Sequence, residues 1–203
     1  MADNFKATQC GKDCQKCNPA ECNDGKRLYT VTVFSENQVG LLNQISIIFT
    51  RRHLNIESLS VSQSALPGIH KFTITSITDE DTIEKVVKQI DKRVDIIKSF
   101  YHTDEDVVYQ EIALYKVSTE QFLGLGSIED LIRKYNIRIL EMSENCVVME
   151  KTGHYEETQG LFQELSTKLT VLQFVRSGRI SITRSKIERL SDMLAKLEAI
   201  KKQ

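Results

Sequence analysis

The chain has 203 residues, 40% of them hydrophobic, with Lys+Arg 27 against Asp+Glu 28 and a formal net charge of -1. That length and apolar content suit one or two compact domains with a sizeable core. The near-neutral balance excludes a strongly basic field of the kind that gathers nucleic acid, and no run approaches the roughly 18 consecutive apolar residues of a membrane span, so neither partner is expected.

Residues 1–27 contain MADNFKATQCGKDCQKCNPAECNDGK, which lacks the apolar stretch of a secretory signal, so a cytoplasmic location is expected. Four of the five cysteines crowd into this tail: Cys10, Cys14, Cys17 and Cys22. Their C-x3-C-x2-C-x4-C spacing offers four soft ligands to zinc or an iron–sulfur cluster, although it is neither a pair of CxxC motifs nor a ferredoxin run. With little apolar material beyond Phe5, a disordered, reduced leader is the competing reading, and an odd cysteine total argues against a complete disulfide framework. Cys146, in the apolar run CVVM, reads as a small buried hydrophobe rather than a nucleophile.

Ordered structure is expected from Leu28. The alternation in LYTVTVF puts Tyr29, Val31 and Val33 on one strand face. After SENQVG, residues Leu41, Leu42, Ile45, Ile48 and Phe49 recur at helical spacing. NIESLSVSQS reads as a second strand region, Leu66 to Gly68 as a turn, and IHKFTITSI as a third strand. A helix carrying Ile83, Val86, Val87 and Ile90 on one stripe follows, then the strand VDIIKSFY. The order βαββαβ predicts a ferredoxin-like module over residues 28–103, an antiparallel sheet with one face beneath two helices.

The order repeats over residues 104–182. YHTDEDVVY reads as a solvated acidic link and VVYQEIALYKV as a strand. The region around Ile128, Leu131 and Ile132 is expected to be helical, IRILEM and NCVVMEK to form a strand pair, YEETQGLFQELSTK a helix and VLQFVRSG a last strand. The fold class is therefore α+β, two successive ferredoxin-like βαββαβ modules. Residues 183–203 read as an amphipathic helix, with a capping box at Ser185 and Glu188 and an apolar face of Ile187, Leu190, Leu194 and Leu197. It would pack on its own domain or on a symmetry mate; Glu188, Asp192 and Glu198 interrupt the positive charge that a membrane anchor needs.

The turn before the first helix is the candidate binding site. Asn37 and Gly40 frame a helix start whose first amides lack intrahelical partners, where a ligand carboxylate would accept hydrogen bonds and gain from the helix dipole. Gly40 permits close backbone approach, Leu41 and Leu42 offer apolar contact, and the Asn55 amide both donates and accepts. Together these suit a small amino acid, while an ordinary turn around a core helix explains the same residues. Catalytic chemistry is not legible: His53, His70, His102 and His154 form no metal or nucleophile motif, and there is no phosphate loop of the P-loop form.

The segment FSENQVGLLNQISIIFTRRHLNIESLSV resembles the N-terminal ACT module of the small regulatory subunits of acetohydroxyacid synthase, also called acetolactate synthase, and YQEIALYKV and FVRSGRISITR are similar to later signatures of that family. The resemblance runs from about Leu28 to Arg184. It implies a homodimer, feedback binding of a branched-chain amino acid such as valine, and a separate large catalytic subunit carrying thiamine diphosphate, Mg and FAD. It also implies effector contacts at Asn37, Gly40, Leu41, Leu42, Asn55 and Ile56, in a pocket where two ACT modules pair. The family usually has glycine and an aromatic before the asparagine; His53 and Leu54 stand here, and a left-handed His53 would carry strain. The alternative is a freestanding ACT-type amino-acid sensor or a metal-binding adaptor.

Overall fold

The computed structural model describes residues 25–124, 126 and 128–184, so Cys10, Cys14, Cys17, Cys22 and the segment 185–203 lie outside the described residues. The alternating run at the start becomes β1 (Arg27–Glu36), and the first apolar helical stripe becomes α1 (Leu41–Thr50). Next come β2 (Ser58–Gln63), β3 (Ile69–Thr78), α2 (Glu80–Ile90) and β4 (Ile96–His102). Asp79 starts α2 by accepting a hydrogen bond from the Thr82 amide at 2.9 Å, and Glu80 and Asp81 in the first turn suit the positive end of the helix dipole. The strands form one antiparallel sheet in the order β2-β3-β1-β4, with Glu36 opposite Ile69 at one end and Arg27 opposite Thr78 at the other.

Tyr29, Val31 and Val33 face the two helices and pack with Ile45, Ile48, Phe49, Ile83, Val86 and Ile90. That is the core the periodicity predicts. Less expected is the other face of β1 and β3, where Thr30, Thr32, Thr73 and Thr75 are also buried. On that face the Thr30 hydroxyl accepts from Arg179 of the second half of the chain.

That half repeats the strand and helix arrangement with two additions. It runs β5 (Val107–Ser118), α3 (Thr119–Gly124), α4 (Ile128–Tyr135), β6 (Arg138–Met142), β7 (Cys146–Gly153), α5 (Tyr155–Lys168), β8 (Val171–Arg176) and β9 (Ile180–Thr183). The sheet order is β6-β7-β5-β8, and β9 pairs with the start of β5. The expected single helix near Ile128 is α4, preceded by the short α3. The expected last strand ends at Arg176; a turn at Ser177–Arg179 then lets β9 continue along the same side of β5. β9 also extends to Thr183, the first residue of the stretch read as a terminal helix. A second core forms from Tyr115, Val117, Leu131, Val147, Met149, Leu161 and Leu165.

Two other expectations are corrected. Cys146 is only half-buried because it opens β7, where its thiol lies 3.3 Å from the Ser143 hydroxyl. The acidic link between β4 and β5 is not simply solvated: Asp104 pairs with the buried Arg179, and Asp106 accepts from both the amide and hydroxyl of Thr103. Among the described residues, no helix is long and apolar enough to cross a membrane.

Candidate functional site

At the start of α1, Gly40 has φ 84°, a left-handed conformation that glycine adopts without a Cβ penalty. No side chain caps this helix, and its first turn holds no acidic residue. The dipole's positive end is therefore not answered by the helix's own side chains. Asn37, Gln38 and Val39 are exposed beside it, and the Asn37 amide donates to the Gly68 carbonyl at 3.1 Å. Leu41 turns into the core, whereas Leu42 keeps 46% of its surface open. The two leucines thus do different things: one anchors the helix and the other is available to a ligand.

α1 ends at a second left-handed residue. His53 has φ 55°, its amide donates to the Thr50 carbonyl at 3.0 Å, and the Leu54 amide reaches back to the Phe49 carbonyl at 3.0 Å. These are the paired bonds of a Schellman motif, and Leu54 supports it by packing on the core that contains Phe49. Asn136, with φ 52°, ends α4 comparably, and the Ile137 amide donates to the Ile132 carbonyl at 3.0 Å. The chain then reaches Asn55, whose side chain is exposed and whose carbonyl accepts from the Ser76 hydroxyl at 2.7 Å. Ile56 is half-buried against the first core.

Gly40 and Asn55 flank opposite ends of α1, whose ten residues span about 15 Å. One chain therefore does not bring the turn and the strand-entry asparagine together around one small molecule. β2, which follows Asn55, is the edge of its sheet, bonded to β3 on one side.

Sequence reasoning missed a second polar region, between the two sheets. A cavity of about 360 Å³ opens there, lined in part by Glu57, Asp104, Glu111, Arg176 and Arg179. Glu111 accepts from the Thr158 hydroxyl at 2.5 Å and from Arg176 at 3.3 Å. Arg179 lies 3.6 Å above the Tyr109 ring, pairs with Asp104, and donates to the Thr30 hydroxyl at 3.1 Å. Burial pushes the Tyr109 phenol up, and nearby Asp104 adds to the effect. Asp104 is paired with Arg179 and Glu111 with Arg176, and Asn37, Gly40 and Asn55 do not line the cavity. The readable signal was VRSGR: two arginines flanking a glycine. Among the described residues, no group of three or more His, Cys, Asp or Glu is placed to hold a metal ion.

Comparison with known proteins agrees with this architecture. A sequence profile described as the AHAS small subunit-like ACT domain matches residues 31–98, and one described as the small subunit of acetolactate synthase matches residues 110–185. The chain is 29% identical over 167 residues to the acetolactate synthase small subunit of Bacillus subtilis, covering 82% of this chain and 95% of that protein. With the Haemophilus influenzae small subunit it shares 28% identity over 158 residues, covering 76% and 94%. Among solved structures, the acetolactate synthase small subunit of Thermotoga maritima superposes with a TM-score of 0.71 at 27% identity, covering 79% of this chain and 99% of that one.

Proposed function

The chain belongs to the family of acetolactate synthase small subunits, and from that premise we infer that it is the regulatory, non-catalytic subunit of this synthase in branched-chain amino acid biosynthesis. It activates a large catalytic subunit and makes that subunit sensitive to a branched-chain amino acid, with valine the first effector to test. The thiamine diphosphate chemistry is the partner's. In this reading residues 28–103 are an ACT domain and 104–182 a second ferredoxin-like unit, which the strand orders β2-β3-β1-β4 and β6-β7-β5-β8 support.

The observation that carries the effector site is the uncapped start of α1 at Gly40, across the module from Asn55. An exposed edge such as β2 favours pairing with a second strand. Two copies joined antiparallel through β2 about a two-fold axis set the Ser58 end of one against the Gln63 end of the other. Gln63 pairs with His70, at the same end of the sheet as Glu36 and the turn to Gly40. The partner's Asn55 then meets the Gly40 turn. The effector carboxylate binds the first α1 amides, Asn55 binds its polar groups, and Leu42 contacts its side chain.

Mixed dimers test this sharing. Gly40→Asp puts a negative charge where the carboxylate sits, and Asn55→Ala removes an amide contact worth on the order of 1 kcal/mol, or several-fold in affinity. Calorimetry with valine should find weakened binding in each homodimer. A dimer with one chain of each variant should recover half its sites at wild-type affinity, because one composite site contains neither substitution. Failure of that recovery, with intact binding in wild type, would place the site within one chain.

A further inference from the structure

The cavity between the modules holds more negative charge than its own ion pairs consume. Glu57, Asp104, Glu111 and Glu156 line it together with Arg176 and Arg179, so four carboxylates against two guanidiniums leave a formal charge of -2. Both guanidiniums are committed. Arg179 pairs with Asp104 over the Tyr109 ring, and Arg176 pairs with Glu111 while its guanidinium lies 4.5 Å from the centre of the Tyr155 ring. The carboxylates of Glu57 and Glu156 have no hydrogen-bond or ion-pair partner among the described residues.

These two carboxylates come from different modules. Glu57 directly precedes β2, where its amide donates to the Thr75 carbonyl at 2.8 Å, and Glu156 sits in the first turn of α5. The Ser177–Arg179 turn brings the modules into contact at the cavity wall, where a Cβ on Gly178 would lie 3.0 Å from that of Ser58. Leu28 and Leu59, both half-buried, supply apolar wall. Burial, Asp104 and Glu156 together hold the Tyr109 phenol above its ordinary value against the opposing charge of Arg179. The carboxylates thus outweigh the guanidinium even at the ring on which it lies.

We propose that this cavity binds a short aliphatic diammonium ion, with one ammonium on Glu57, the other on Glu156 and the methylenes against Leu28 and Leu59. An ammonium on each carboxylate forms charge-assisted hydrogen bonds and brings the lining to neutrality. An anion would enter against the net charge, with both guanidiniums already paired. A metal ion needs several ligands around one point, and among the described residues no group of three or more His, Cys, Asp or Glu is placed to hold one. A neutral apolar guest would strip water from Glu57 and Glu156 without replacing it. At about 360 Å³ the cavity lies near the small end of ligand pockets, roughly 300–1,000 Å³, so a diamine of about four carbons suits it better than a longer polyamine. Because the ligand holds a residue of each module, its binding stabilises the contact between them.

Isothermal titration of the full chain with 1,4-diaminobutane, at fixed ionic strength, should show one saturable site per chain. Glu57→Gln and Glu156→Gln should each weaken it several-fold, as should replacing the probe by butylamine, while Glu120→Gln, outside the cavity, should leave it unchanged. Glu57 and Glu156 are exposed, so their substitution leaves the folded chain intact. Isotope-edited NMR locates the probe: its methylenes should show cross-relaxation with the Leu59 methyls. Absence of saturable binding at millimolar diamine, or of contact with Leu59, would overturn the proposal. Equal weakening by Glu120→Gln, or full displacement by an equal concentration of Mg²⁺, would likewise overturn it, because either describes counterions gathered by the surface rather than a ligand in the cavity.

Discussion

His53 shows how a single residue can conflict with its backbone and still be held. The Schellman bonds at the end of α1 require a left-handed residue, and a non-glycine residue in that conformation costs about 1–2 kcal/mol. Glycine removes the strain but restores freedom to the unfolded chain, costing about 0.5–1 kcal/mol. His53→Gly should therefore raise stability by only about 0.5 kcal/mol, measured by chemical denaturation; a loss of stability would mean that the imidazole makes a compensating contact. Glu164 is the counterpart in the second module. Its carboxylate accepts from Lys134 at 2.6 Å, Lys168 at 2.7 Å and Tyr135 at 2.8 Å, tying α5 to α4, and these bonds lower its pKa to about 2. Because the folded value lies below the ordinary 4.5, its stabilising contribution is full above about pH 4.5 and is lost as pH falls toward 2. Both lysines are solvent-exposed, so water screens much of this effect, and Glu164→Gln should cost about 1 kcal/mol at neutral pH and flatten the acid limb of a stability–pH curve. An acid limb identical to wild type would reject the assignment.

Among the elements, the β8–β9 turn has the widest reach. Gly178 has φ 76°, and a Cβ there would lie 3.0 Å from that of Ser58, so the turn seats closely on the first sheet. Arg179 next to it joins β9 to Asp104, Tyr109 and Thr30, while Lys71 on β3 donates to the Ser181 carbonyl at 2.5 Å. Arg179→Ala leaves Asp104 without its pair and removes the ring contact, and should cost about 2–3 kcal/mol, less than a fully buried pair because Asp104 is partly exposed. Arg179→Lys should recover only part of this, since an ammonium cannot reproduce the planar stack. Thermal unfolding of the two variants tests the turn; wild-type stability in Arg179→Ala would show that the modules are held elsewhere. None of this was legible from periodicity. Tyr29, Val31 and Val33 declare their face by alternation, but nothing near Thr30 in the sequence announces its contact with Arg179. ISIT is too short to announce a strand, and its partner lies far back along the sequence in β5.

For the whole molecule, the repeated strand and helix order was readable because each module closes its own core with nearby apolar stripes. Gly40 and Asn55 are held apart by the ten residues of α1 within one chain, so periodicity alone did not relate them; the family resemblance implied a pocket between paired modules, and the proposed pairing with a second copy brings them together. Under that proposal, regulation means that effector binding at the shared site changes how strongly this subunit supports its partner, a coupling between two sites. The most direct measurement is a reconstituted acetolactate assay with the cognate large subunit. Alone, this chain should form no acetolactate from pyruvate; added to saturation, it should raise the large subunit's turnover and confer inhibition by a branched-chain amino acid, with Asn55→Ala shifting that inhibition several-fold while leaving activation in place. No activation of a demonstrably competent large subunit across a saturating range of folded wild-type chain would contradict the account.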